Sequence, residues 1–164
     1  MASELRVDKI HNEGGDNDSG IDLSTNDQIV LKTANTTRLT MDATGQTTIV
    51  GEGGTTTTSV QQGLAKCWGK VSGADTTVDD SFNLTSSTDT DTGAKTLSIA
   101  NDMSNANYST TAMVFFSSGA GNGMHPYIDA TYSASQFRID TLNYNNTSDG
   151  DCSAIMFLVA GDLA

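Results

Sequence analysis

The chain has 164 residues, 36% of them hydrophobic, and carries a net charge of −12 from 20 acidic against 8 basic side chains. A surface this negative is repelled by phosphate backbones and anionic lipid, which disfavours nucleic-acid and membrane roles. The length fits one ordinary domain, or a small domain with an extended arm.

Apolar bulk is unevenly spread. The aromatic residues all lie between Trp68 and Phe157, and residues 1–63 carry only scattered large aliphatics. That first stretch can hardly bury a core of its own, whereas residues 64–164 suffice for an independent β domain. Thr, Ser, Asn, Asp and Gly dominate, with 16 Gly and a single Pro, Pro126. This is the composition of short strands joined by many turns. The chain does not open on a charged stretch followed by an apolar segment, and its apolar runs fall short of the roughly 20 residues of a membrane span. Folding in a reducing cytoplasm is therefore expected, with Cys67 and Cys152 as free thiols. The Asn-x-Ser/Thr triplets at Asn35, Asn83 and Asn107 then read as strand composition, not as glycosylation sites.

In chain order, Glu4 to Ile10 (ELRVDKI) alternates polar and apolar residues, as a half-buried strand does. Asn12 to Gly20 is loop. Ile21–Ser24 and Gln28–Leu31 flank Thr25-Asn26-Asp27, a hairpin connection. Thr37 to Ile49 predicts a second hairpin, with Leu39 and Met41 on one face and Arg38, Thr40 and Asp42 on the other. Its turn, Asp42-Ala43-Thr44-Gly45, has Asp first and Gly last, as a type I turn closed by a left-handed residue prefers. Each hairpin offers one thin apolar face, and isolated hairpins are marginal in water. Other chains are expected to cover these faces. Gly51 to Thr58 reads as a joint.

Further strands are expected over Ala65–Ser72, Ser81–Ser86, Lys95–Ile99, Tyr108–Phe116, Pro126–Tyr132, Gln136–Asn143 and Ala154–Ala160. The last is continuously apolar (AIMFLVA), which predicts a central strand covered on both faces. Short strands at such spacing fit an antiparallel sandwich.

Catalytic and metal patterns are thin. The two histidines are His11, in the polar arm, and His125, with no nucleophile elbow beside it. Four Cys and His in total, widely separated, make a poor zinc set. Asp16-Asn17-Asp18 and Asp149-Gly150-Asp151 cluster oxygens that could attract calcium, yet lack the full loop spacing. The acidic residues that polysaccharide cleavage would need fall in turns. No catalysis, cofactor or metal is expected. Tyr127, Tyr132 and Tyr144 with Asn122, Asn143 and Asn145 suit sugar recognition, since rings cover sugar CH faces while amides bond hydroxyls. One ring of Phe115-Phe116 is expected in the core and the other against a neighbouring subunit.

Thr37 to Asp42, with Gly45-Gln46, is similar to a segment that recurs in tail-fibre and fibre-like proteins of marine bacteriophages. Glu4 to Ile10 resembles the start of many such proteins. In the same order, Gln62 to Trp68, Asp80 to Ser86, Asn105 to Tyr108, Ser135 to Ile139 and Val159 to Asp162 resemble their C-terminal domain. The resemblance implies a homotrimer on the virion surface, with its N-terminal part nearer the particle. The combined expectation is an all-β chain: an extended β-hairpin arm over residues 1–50, a Gly/Thr-rich linker over 51–63, and an antiparallel β-sandwich over 64–164. Leu5, Val7 and Ile10 are the candidate attachment residues toward another virion protein, tail or capsid. Leu39, Met41 and Ile49 are the candidates for inter-chain packing. Asn122, His125, Tyr127, Tyr132 and Tyr144 are the candidate contacts to a host-surface glycan. Because the shaft is almost absent, a head fibre or capsid decoration subunit with a purely structural role is the alternative.

Overall fold

The computed structural model describes residues 5–12, 14, 18–51, 54, 56–116, 123–143 and 148–164. It is mostly β, with one short helix, and the named strands pair antiparallel throughout. The chain divides into two compact units, Met1–Gly63 and Leu64–Ala164.

The first unit is one six-stranded sheet in which every strand pairs with the next in sequence. Its strands are β1 (Lys9–His11), β2 (Gly20–Asp22), β3 (Ile29–Thr33), β4 (Thr36–Met41), β5 (Thr47–Val50) and β6 (Thr57–Ser59). The Asp42–Gly45 turn forms as its residues dictate. Gly45 is left-handed at φ 79°, its N–H donates to the Asp42 carbonyl at 2.9 Å, and the Asp42 carboxylate accepts the Thr44 and Gln46 N–H groups. A second tight turn joins β3 to β4 through Ala34 and Asn35, both left-handed. Two consecutive positive φ values match the right-handed strand twist in a two-residue hairpin.

Two boundaries differ from expectation. Among the described residues of the stretch expected as the first strand, Leu5 to Asp8 lie outside any strand and pairing begins at Lys9, opposite the last residue of β2. Within the stretch expected as linker, Thr57–Ser59 adds a strand to β5, and α1 (Val60–Gly63) follows as a single helical turn. Gln61 fastens that turn: its side-chain carbonyl accepts the Thr47 N–H and its amide donates to the Gly45 carbonyl, both at 3.0 Å.

The second unit contains β7 (Ala65–Ser72), β8 (Val78–Phe82), β9 (Leu84–Asp91), β10 (Ala94–Ile99), β11 (Ser109–Phe115), β12 (Met124–Tyr132), β13 (Gln136–Asn143) and β14 (Ala154–Ala160). They form two four-stranded sheets, ordered β12-β13-β10-β9 and β11-β14-β7-β8. Both send alternate side chains into one core: Leu97, Ile99, Phe137 and Ile139 from the first, Cys67, Val71, Ile155, Phe157 and Val159 from the second. Phe137 meets Phe157 edge-on, ring centroids 5.4 Å apart. Pro126 sits on β12, an edge strand, where a missing N–H interrupts no inner ladder.

The expected Ser81–Ser86 strand is two strands. The chain leaves one sheet at Phe82 and joins the other at Leu84, turning on Asn83 at φ 59°. The apolar run of β14 is central in its sheet, between β11 and β7, as expected. Its inner residues are buried, but Leu158 on the outer face is 47% exposed, so one face of the strand is uncovered within this chain.

Candidate functional site

Ladder register organises the first unit. Ile10 pairs with Ile21, Ile21 with Leu31, Leu31 with Leu39 and Leu39 with Ile49, so one aliphatic row crosses five strands. Ile29 pairs with Met41 in the next row of the same face. Directly opposed residues share a face, because side chains alternate with a period of two. Ile10, Ile29, Leu31, Met41 and Ile49 are each 37–46% exposed.

Ile10, Leu39, Met41 and Ile49, given two different roles on sequence grounds, therefore belong to one surface. Ile21, Ile29 and Leu31 complete it and were missed, because strand register has no local signature. Leu5 and Val7 precede β1, are exposed, and belong to no strand.

The opposite face is mostly polar, with Val30 and Val50 as its aliphatics. Asp22 lies between Lys32, at 2.6 Å, and Lys9, at 3.9 Å. The Lys32 ammonium and the Ser24 hydroxyl and N–H all donate to this carboxylate and hold it well below its ordinary range. One sheet thus separates an ion-paired face from a greasy one.

In the second unit, the outer face of the β12-β13-β10-β9 sheet carries two of the expected receptor contacts. His125 is exposed and pairs with Leu142, and Tyr127 pairs with Asp140. Arg138 Nε donates to Asp140 at 2.6 Å and lies 3.4 Å from Asp129. Partial burial, and then the neighbouring Asp140 that its hydroxyl meets, push the Tyr127 phenol up.

Tyr132 is placed differently. Its ring stacks on Tyr108 at 4.5 Å and its hydroxyl bonds Thr110 on β11, so it ties two strands of different sheets. It does not share the face of His125 and Tyr127. Asn122, Tyr144 and Asn145 lie outside the described residues, as do Asp16 and Asn17 of the first oxygen cluster. Asn143 donates to Ser148 at 2.8 Å. Asp151 accepts the Gly93 N–H at 2.6 Å, a turn-fastening role. Phe115 and Phe116 are both exposed, 53% and 44%, so neither ring enters the core.

Among the described residues, no three His, Cys, Asp or Glu converge as a metal-holding group, and no helix is long and apolar enough to cross a membrane. Cys67 and Cys152 are unpaired and buried. Burial pushes the Cys67 thiol up to about 11 and raises that of Cys152 as well. No family model, curated protein or solved structure matches the chain.

Proposed function

We propose that the chain is a non-enzymatic structural subunit on the outside of a bacteriophage particle, a short homotrimeric fibre attached through its N-terminal unit. The observation that carries this reading is the aliphatic row Ile10–Ile21–Leu31–Leu39–Ile49 on a sheet that has no second layer among the described residues of its own unit. Stable domains bury a sheet's apolar face against another layer. Sister copies supply that layer here. Of the fibre-like segments, Thr37 to Gln46 lies on β4 and its turn, and the end of Glu4 to Ile10, Lys9 and Ile10, lies on β1 of the same sheet; both support the virion assignment.

In this reading the second unit is an antiparallel β-sandwich held away from the particle. Its His125–Tyr127 face meets the host surface, with a glycan as the ligand class. The acidic surface suits an assembly that neither packages nucleic acid nor inserts into membrane. A head fibre or decoration subunit would use the same assembly and lack the host contact.

Sedimentation equilibrium of the full chain tests the assembly. A three-copy mass is expected, and a monomer at micromolar concentration overturns it. Labelled protein incubated with candidate host cells tests the display role. Saturable adsorption lost in Tyr127→Ala supports host binding, and absent adsorption leaves the purely structural subunit.

A further inference from the structure

The outer face of the β11-β14-β7-β8 sheet is a second greasy surface, on the other unit. Register aligns Thr111, Leu158, Trp68 and Phe82 in one row across four strands, and Met113, Met156, Lys70 and Asp80 in the next. Phe115 continues the Met113 side along β11. Met113, Phe115, Phe82, Leu158 and Trp68 are between 38% and 64% exposed. A depression of ≈ 200 Å³ between Thr111, Met113, Met156 and Leu158 roughens the patch.

We infer that this face is a contact between copies of the chain, separate from the N-terminal sheet, with Trp68 buried at its centre. Area and charge both favour a sister copy. Taking roughly 200 Å² for a fully exposed large side chain, the five residues expose roughly 500 Å². That sits at the upper end of what monomers normally leave open, roughly 300–600 Å². With its polar margin it approaches the roughly 800 Å² that each partner gives to a standard interface.

Charge points the same way. Copies carrying −12 each repel wherever their acids face each other. The strands β14 (AIMFLVA) and β11 (STTAMVF) hold no charged residue, so a contact centred there avoids that repulsion. At the margin Lys70 sits 2.6 Å from Asp79 and pairs across the ladder with Asp80. That margin carries both signs, so a second copy can oppose Asp80 to Lys70 and Lys70 to Asp80. The uncovered face of β14 also explains why an inner strand is apolar at every position: both of its faces are buried once copies meet. This contact requires neither the virion reading nor the N-terminal one.

Trp68 is the sole tryptophan, so its fluorescence reports this face alone. Acrylamide quenching of the full chain is measured alongside sedimentation velocity, for the native protein and for Leu158→Lys and Met113→Lys. Both substitutions are at exposed positions, and circular dichroism checks that each variant keeps its strands. In the native oligomer the quenching constant is expected to be at least about 3-fold lower than in either variant, with weaker association in both variants. An oligomer whose Trp68 is quenched as freely as in the variants overturns the inference and leaves assembly through the N-terminal sheet standing. A strictly monomeric native chain overturns both.

Discussion

The side-chain amide of Asn83 clasps the backbone of Asn101. The Asn101 N–H donates to Asn83 Oδ1 at 2.7 Å, and Asn83 Nδ2 donates back to the Asn101 carbonyl at 3.2 Å. Asn83 Nδ2 also donates to the Lys66 carbonyl at 2.9 Å. The clasp sits where the chain passes from one sheet to the other, in a left-handed conformation that Asn tolerates better than most residues.

Asn83→Ala strips these bonds and adds backbone strain, so the second unit should lose about 2–4 kcal/mol in urea unfolding. Asn83→Gly loses the same bonds without the strain and should cost about 1 kcal/mol less. Equal losses in the two variants would mean that the backbone conformation contributes nothing here.

Gly69 and Phe157 form a matched pair across β7 and β14. A Cβ on Gly69 would lie 2.9 Å from Phe157 Cζ, so the ring occupies the space that a side chain would take. Gly69→Ala should cost about 1–3 kcal/mol by overpacking, and Phe157→Ala about 3–5 kcal/mol by leaving a cavity beside Phe137. The two should couple. Gly69→Ala placed on Phe157→Leu is expected to cost less than Gly69→Ala alone, as a double-mutant cycle reads directly.

Thiol chemistry gives a third check. Cys67 is fully buried and its ordinary value of 9.0 is raised to about 11 by burial. At pH 8 that shift alone cuts its thiolate fraction about 100-fold. Folded protein should therefore resist Ellman's reagent over hours at pH 8, while both cysteines react within minutes in guanidinium. Prompt reaction of either thiol in the native state would mean that the core opens locally.

Acid should loosen the N-terminal sheet through Asp22. Its folded value lies below the ordinary 3.8, held there first by Lys32 and then by Ser24. A depressed carboxylate stabilises the fold above the unfolded value, and that contribution fades as pH falls below about 4 through the folded value. Hydrogen exchange over residues 20–33 should run faster in Asp22→Asn than in the native chain at pH 7, with the gap narrowing progressively as pH falls below about 4 toward the folded value. A gap that stays undiminished from pH 7 down to pH 2 would assign the effect to packing rather than charge.

Local chemistry made some elements legible and left others hidden. The Asp42–Gly45 turn announces itself through two residues whose preferences agree, and β14 through an unbroken apolar run. The turn at Ala34-Asn35 carries no such mark, since Ala rarely adopts a positive φ and is held there by the pairing of Thr33 with Thr36. Asn83 reads as an ordinary strand residue until the two sheets are known. The candidate surface was half legible. Alternation assigned Leu39 and Met41 to one face, but the alignment of Ile10, Ile21, Leu31 and Ile49 with them depends on register across four turns. Tyr132 looked like its neighbour Tyr127 because a strand pattern does not say which tyrosine meets a second sheet.

The aliphatic row supports the most direct test of assembly. Leu31 and Ile49 both pair with Leu39 and are exposed, so Leu31→Lys with Ile49→Lys replaces grease by charge without opening a cavity within the chain. If sister copies cover this face, the double variant buries two unpaired ammonium groups at a contact, which association cannot tolerate. At least a 100-fold weaker association is expected by sedimentation, with the second unit's urea midpoint unchanged. Salt should distinguish the mechanism further. Native copies carrying −12 repel one another, so raising ionic strength from about 10 to 150 mM should tighten a hydrophobic contact by screening. Association that weakens with salt would mean that ion pairs, not the aliphatic row, hold the copies together.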